Sequence, residues 1–370
     1  MGTTNPSATA APLAPPDHQL VEASVQAKLP FPARFGALVP LAGDASNRRY
    51  FRIRLAGVPA GRPASAILMQ LAEPEAFKAS EEAVSGGGQQ ISELPFVNVL
   101  NHLAKAGVSV PRLYHYDQVA GLLYLEDFGD QTLMEACQKA SAADLVVCYK
   151  QAVDELVRIH SRATAPADSG CIAFHRSFDP ALLMWEFEHF LEYGVVARNG
   201  KPMCSEDYPL IQAEFRNIAE FIAGQPRVFT HRDYHSRNLM VDGVRLGVID
   251  FQDALMGPAA YDLASLLRDA YIRLDEEVVD ELVSHYLERF TDHATFGIDR
   301  RGFRRAFDLT SIQRNLKAAG RFVYIDRVKH NPKFLADIPR VLGYVRRNLE
   351  TYPELAALRK LLAPYVPELQ

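Results

Sequence analysis

An aspartate, an asparagine five residues on and a second aspartate beyond a short hairpin form the most informative spacing in the chain. The first segment reads His231-Arg232-Asp233-Tyr234-His235-Ser236-Arg237-Asn238, and Asp250-Phe251-Gln252-Asp253 closes the second. Between them, 239–241 and 244–249 alternate as strands around Asp242-Gly243, the dipeptide that a two-residue hairpin turn favours. That arrangement brings one carboxylate to where it can orient a hydroxyl, and an amide with a second carboxylate to where they can hold a divalent metal. Phosphoryl transfer needs this set of groups: positioned hard oxygen ligands and an in-line nucleophile, with little covalent machinery. The competing reading makes Asp233 and Asp250 cap or turn residues and Asn238 a turn amide. His231 and His235 lie four apart, as helical zinc ligands do, but no helical pattern surrounds them and no third ligand is evident.

The elements that must carry this segment fall into two parts. Residues 47–55 alternate, with Phe51, Ile53 and Leu55 on one face and Arg52 and Arg54 on the other. A short apolar run at 66–71, strands at 112–117 and 122–125 joined over Gly121, and a helix at 96–106 capped by Gly107 complete a strand-rich first part. From about residue 130 long amphipathic helices take over, at 144–159, 180–193 and 207–223, and again along the stripe Val278 to Phe290. The predicted division is a disordered tail over 1–20, an N-terminal lobe over 21–128 and a helical C-terminal lobe over 129–370. Since no strand leads into it, the Gly-rich stretch 85–88 reads as a flexible connector, with a phosphate cradle as the alternative.

Composition narrows the function classes. The 370 residues are 48% hydrophobic and 23% charged, with 40 basic against 45 acidic side chains for a formal charge of −5. Such a chain buries a sizeable core and has no global basic field for nucleic acid. The opening residues are rich in Ala, Pro, Ser and Thr and lack large apolar groups, which predicts a floppy tail. No run is long enough for a membrane span, and no targeting pattern opens the chain. Cys137, Cys148, Cys171 and Cys204 show no metal or disulfide spacing, so reduced thiols and a cytoplasmic location are expected.

The loop, hairpin and second aspartate resemble those of the aminoglycoside phosphotransferase and choline kinase superfamily, from about Phe35 to the C-terminal helices. The resemblance implies an α+β, protein-kinase-like bilobal fold with a small antiparallel-sheet N-lobe and a larger, mainly helical C-lobe. It also implies ATP and Mg²⁺, with Asp233 as catalytic base or hydroxyl-orienting group, Asn238 and Asp250 as magnesium ligands, and His231 as a structural member of the loop. Asp253 and Asp262 fall in the following run D-A-L-M-G-P-A-A-Y-D-L-A as supporting carboxylates, Asp262 bracing the catalytic loop or merely capping its helix. The strand end Leu125-Glu126-Asp127-Phe128-Gly129 stands where the hinge should lie and its backbone would meet adenine; the Glu126 and Asp127 side chains have an alternative as ordinary loop charges.

Two departures accompany the resemblance. Before the second strand, where a phosphate-covering loop is expected, one glycine precedes Asp44-Ala45-Ser46-Asn47, so Ser46 and Asn47 are candidates by position alone. On the next strand, Ile67-Leu68-Met69-Gln70, the usual phosphate-binding lysine is missing. Arg49 is the proposed replacement, the alternative being that Arg49 and Arg52 are both solvated. The missing lysine also keeps open a non-catalytic nucleotide-binding reading.

Within the superfamily, L-A-G-D-A-S-N-R-R-Y-F-R, T-H-R-D-Y-H-S-R-N-L-M-V and I-D-F-Q-D-A are most similar to the anomeric sugar kinases of bacterial cell-wall recycling. That resemblance implies N-acetylmuramate or N-acetylglucosamine as the small-molecule acceptor, phosphorylated at carbon 1; an aminoglycoside or amino alcohol is the alternative. It extends to Gln313-Arg314-Asn315-Leu316-Lys317 and Gly320-Arg321-Phe322. On a helix Arg314, Lys317 and Arg321 share one face, either a basic stripe for the lactyl carboxylate or a solvated surface. Gln313 or Asn315 would then bond an acetamido group, with His235 and Arg237 as further substrate contacts. Trp185 can stack on a sugar or pack in the core.

Overall fold

The structure, a computed structural model, describes residues 14–41, 48–71, 93–164, 170–243, 245–290, 299 and 301–370. The chain divides into two compact units, one comprising residues 1–76 and 111–127, the other residues 77–110 and 128–370.

The smaller unit is an antiparallel sheet of β1 (Arg34–Pro40), β2 (Arg49–Ala56), β3 (Ser65–Gln70), β4 (Leu113–Asp117) and β5 (Leu122–Glu126), in the order β1-β2-β3-β5-β4. The predicted face of β2 is the apolar one: Phe51, Ile53 and Leu55 are buried with Leu68, Leu122 and Tyr124. Helix α1 (His18–Lys28) adds Val21 and Val25 to that cluster. It starts inside the predicted tail because Asp17 caps it, accepting the Gln19 N–H at 2.8 Å, and because its apolar face has a sheet to cover. Ser46, Asn47 and the 85–88 stretch lie outside the described residues.

Helix α2 (Pro95–Lys105) belongs to the larger unit, unlike the predicted division. Its polar residues explain why: the Asn98 carboxamide takes the Ile172 N–H and donates to the Gly170 carbonyl, both at 2.8 Å. His102 Nε2 meets the Ala163 carbonyl at 2.7 Å.

The rest of that unit is mainly helical: α3 (Leu133–Gln138), α4 (Ala142–Arg158), α5 (Pro180–His189), α6 (Asp207–Ala223), α7 (Ala259–Leu267), α8 (Glu276–Arg289), α9 (Phe303–Lys329), α10 (Ile338–Thr351) and α11 (Ala356–Leu362). The helix predicted over 180–193 changes character at its end, where Phe190–Ala197 forms wider π-helical turns. There the chain crosses α9 so closely that a β-carbon on Gly320 would sit 2.8 Å from Phe190 Cα. Two ribbons interrupt the helices: β6 (Arg227–Thr230) with β9 (Leu255–Pro258), and β7 (Leu239–Asp242) with β8 (Arg245–Val248). Gly243, at φ +60, makes the second ribbon's turn in a conformation that suits glycine. The four cysteines are free thiols. Among the described residues no helix is long and apolar enough to cross a membrane.

Candidate active site

The loop 231–238 leaves β6, and 249–254 links β8 to β9, so the two ribbons hold both halves of the motif. Backbone bonds compact the first half: His235 N–H reaches the Asp233 carbonyl at 3.0 Å, and Asn238 N–H reaches that of His235 at 2.9 Å. His231 ties it to the second. Its Nε2 lies 2.9 Å from the Ile249 carbonyl and its Nδ1 receives the Asp233 N–H at 3.3 Å, which makes Nε2 the protonated nitrogen. Further anchors are the Tyr234 hydroxyl on the Ala152 carbonyl at 2.8 Å and the Ser236 N–H on Asp269 Oδ2 at 3.0 Å.

Asp262, fully buried on α7, receives the N–H groups of His231 at 2.6 Å and Arg232 at 2.9 Å, and lies 3.3 Å from His160 Nε2. Two backbone donors and an imidazole supply what a buried carboxylate requires. They also hold Arg232 at φ +81, a left-handed conformation immediately before Asp233; Asp250 adopts φ +66. Such residues persist where neighbours over-determine them. Arg232 is fixed at both ends, since its guanidinium bonds Glu186 at 3.0 Å.

The Asp233 carboxylate stays 42% exposed, with the Arg314 guanidinium 3.6 Å away. Its partial burial works to raise its pKa, but Lys317, Arg314, His235 and Arg232 outweigh that and keep it below the ordinary carboxylate range. Asn238 directs its amide nitrogen at the Asp233 carbonyl, 2.9 Å away, and Asp250 Oδ2 is 3.4 Å from the same nitrogen. Gln252 Nε2 bridges Asp250 Oδ1 at 3.0 Å and Asp253 Oδ2 at 3.1 Å, so Asp253 acts on Asp250 through this amide. A carboxylate and a carboxamide oxygen suit Mg²⁺, which keeps water and phosphate oxygens as its other ligands.

Two basic residues of α9, Arg314 and Lys317, pack toward this loop and the carboxylate beneath it. Lys317 Nζ is 2.6 Å from Glu186, which is buried beneath it, and Arg314 bonds the Ser265 hydroxyl. Burial disfavours both charges of the Glu186–Lys317 pair, yet their attraction wins: Glu186 is held below its usual range, helped by Arg232 and Gln313, and Lys317 above its own. Gln313 is buried and donates to Glu186 Oε2 at 2.7 Å, and Asn315 is buried against the Ser311 carbonyl at 2.9 Å. Both amide nitrogens therefore donate into the interior. His235 lies with its ring edge toward Tyr271, 5.4 Å between centroids, and burial holds it below the usual histidine range despite Asp269 and Asp233. The Arg237 guanidinium covers the Tyr271 and Phe334 rings at 4.7 and 5.6 Å. Trp185 is half-buried and stacks on His189, 5.9 Å between centroids.

In the smaller unit, Glu126 and Asp127 are not loop charges. Arg52 grips Asp127 through two bonds of 2.6 and 3.0 Å, both side chains buried, and Glu126 takes the Arg112 guanidinium at 3.1 Å. Arg49 shares the Phe51 side of β2 and lies 5.1 Å over that ring, while Arg52 stands on the opposite side. Phe128, in the larger unit, is buried against Gly247, where a β-carbon would come within 2.4 Å of its ring.

Ser265 and Asp269 escaped the sequence reading, as did the role of Glu186, which stands beside Trp185, as the buried partner of Arg232 and Lys317. The only local signal was a glutamate inside the otherwise apolar run Leu182-Leu183-Met184-Trp185-Glu186-Phe187.

A partly exposed carboxylate, a carboxamide with a second carboxylate across a hairpin, and a buried carboxylate bracing the loop are the groups that phosphoryl transfer on a kinase-like scaffold uses. The family model described as the phosphotransferase enzyme family matches residues 37–301, and the chain belongs to that family. Two curated relatives carry the name N-acetylmuramate/N-acetylglucosamine kinase. The one from Pseudomonas aeruginosa is 33% identical over 88% of this chain and 88% of its own length; the one from Neisseria meningitidis is 32% identical over 91% and 92%. Solved structures share the fold. A choline/ethanolamine kinase family protein from Mesorhizobium loti has a TM-score of 0.55 at 17% identity, covering 92% of this chain and 99% of its own. An ADP-bound aminoglycoside phosphotransferase, APH(2'')-Ib, has 0.55 at 13%, covering 89% and 97%. The α+β fold class read from the sequence agrees with this architecture.

Proposed function

We propose that the chain transfers the γ-phosphoryl group of ATP, with Mg²⁺, to the anomeric hydroxyl of N-acetylmuramate and N-acetylglucosamine, releasing ADP and the sugar 1-phosphate. The acceptor class is supported by the names of the curated relatives, and the nucleotide by the ADP-bound neighbour. One observation carries the choice of hydroxyl: Asp233 has Arg314 at 3.6 Å and Lys317 close by. A carboxylate so flanked stays ionised and is a weak base, which matches a hemiacetal hydroxyl, more acidic than an ordinary alcohol.

Asp233 accepts the acceptor O–H and aims its oxygen at the γ-phosphorus. As the new O–P bond forms and the bond to the β-phosphate oxygen breaks, the hydroxyl proton passes to the carboxylate and on to water. Arg314 faces the charge that the phosphoryl oxygens carry. Asn238 and Asp250 would hold Mg²⁺, which when bound supplies charge neutralisation at the phosphates. Asp262 and His231 keep the loop in shape. The backbone of residues 126–128 is the proposed adenine contact, and His235 and Arg237 are proposed acceptor contacts. With Arg52 committed to Asp127, Arg49 remains the proposed cation toward the nucleotide. A cytoplasmic location follows from the need for ATP, and the product belongs to cell-wall sugar recycling.

The test is ADP release with each sugar and with its 1-deoxy analogue, which lacks the anomeric hydroxyl. Turnover of the sugars alone supports the reading; equal turnover of the analogue, or turnover only of an aminoglycoside or amino alcohol, overturns it.

A further inference from the structure

We infer that Arg321, with the aromatic surface of Trp185, His189 and Tyr324, is the subsite that reads an acidic substituent on the acceptor sugar, and so sets the preference between a carboxylate-bearing and a neutral N-acetylated sugar. The inference rests on the acceptor reading above.

Three of the cations of α9, Arg314, Lys317 and Arg321, stand in different surroundings. Arg314 stands at Asp233 and marks the reacting end. Lys317 is held at 2.6 Å by the buried Glu186, so its charge is already matched within the protein. Arg321 lies two helical turns beyond Arg314, about 10.5 Å along the axis, far enough to meet the arm of a sugar whose anomeric carbon is at Asp233.

Around Arg321 lies an aromatic surface. Its guanidinium lies 4.8 Å over Tyr324, whose ring is 5.4 Å from His189, which in turn stacks on Trp185 at an interplanar angle of 11°. Trp185, Tyr324 and Arg321 are half-buried, so each presents a face outward. Burial, with Arg321 and Lys317 beside it, pushes His189 down to about 4, so it is an uncharged ring at neutral pH and does not add to the cationic field. The cluster exists because the turns after His189 cross α9 at Gly194 and Gly320, a contact that leaves no room for a β-carbon on Gly320. Aromatic faces take the C–H face of a sugar ring, and a guanidinium fork matches a carboxylate. N-acetylmuramate differs from N-acetylglucosamine by an ether-linked lactyl acid. Both sugars can use the aromatic surface, and one alone can use the fork.

The experiment compares kcat/KM for the two sugars in the wild type, Arg321→Gln and Trp185→Ala. Arg321→Gln is expected to move the ratio at least tenfold toward the neutral sugar, mainly through the KM of the acidic one. Trp185→Ala is expected to lower both values together, with the ratio kept within threefold. A ratio that moves less than tenfold in Arg321→Gln overturns the inference, as does a tenfold shift in Trp185→Ala. Should Arg321→Gln melt early, Arg321→Met, which keeps the alkyl stem, is read by the same criterion. A wild type that turns over neither sugar overturns the acceptor reading itself; turnover with an unmoved ratio overturns the Arg321 subsite alone.

Discussion

The Arg314 guanidinium lies 3.6 Å from Asp233 Oδ1, so the carboxylate at the centre of the site is flanked by a cation from α9. This pairing joins the two features read separately from the sequence, the catalytic loop and the basic helix face. Arg314→Ala is expected to lower kcat about 10- to 100-fold, about 1.4 to 2.7 kcal/mol of barrier, with Arg314→Lys recovering part. Steady-state kinetics at saturating ATP checks this, and a change confined to the ATP KM would contradict it.

Asp262 is the hub behind that centre. Removing it leaves the buried N–H groups of His231 and Arg232 without an acceptor. Asp262→Ala is expected to cost roughly 2–6 kcal/mol, at about 1–3 per stranded donor, and to abolish turnover. Asp262→Asn, which keeps one acceptor oxygen, is expected to be intermediate in denaturant unfolding. A variant that melts like the wild type would show that the loop holds its shape without Asp262.

In the smaller unit the Arg52–Asp127 pair has side-chain exposures of only 7% and 3%. Breaking such a pair leaves one charge buried without its counter-charge. Asp127→Ala is therefore expected to destabilise the protein by about 3–5 kcal/mol, while an Arg52→Met, Asp127→Leu double variant regains most of the loss. Additive losses in this cycle, followed by thermal unfolding, would contradict the account.

His189 gives the stability a pH dependence of defined sign. Its folded value is held at about 4, against about 6.5 in the unfolded chain, so the unfolded state takes up a proton first as the pH falls. The contribution is complete above about pH 6.5 and is lost progressively toward pH 4, up to about 3 kcal/mol. His189→Phe is expected to flatten the stability curve in this window, measured by urea unfolding from pH 7.5 to 4. Parallel curves for the two proteins would remove His189 as the cause.

The placement of the candidate site was legible where it is local. Asp233, Asn238 and Asp250 sit within twenty residues, and the Asp242-Gly243 turn fixes how the halves meet. Strand β2 was equally legible from the alternation of Phe51, Ile53 and Leu55. What periodicity does not carry is partner choice across the chain. Nothing local said that Arg52 pairs with Asp127, or that Glu186 gathers Arg232, Gln313 and Lys317. A basic helix face reads as solvated until a buried carboxylate is known to lie beneath it. The start of α1 at His18 was missed for a related reason, since its stability comes from a sheet that the local sequence does not contain.

The most direct test of the central claim, that Asp233 directs phosphoryl transfer to an anomeric hydroxyl, is phosphorus NMR of the product. Purified protein is given Mg²⁺ and ATP with N-acetylmuramate or N-acetylglucosamine, beside an Asp233→Asn control. The account predicts a phosphorus signal coupled to the anomeric proton, reduced at least a thousandfold in rate in the control. A phosphate ester on any other hydroxyl, or a control that keeps pace with the wild type, would contradict it.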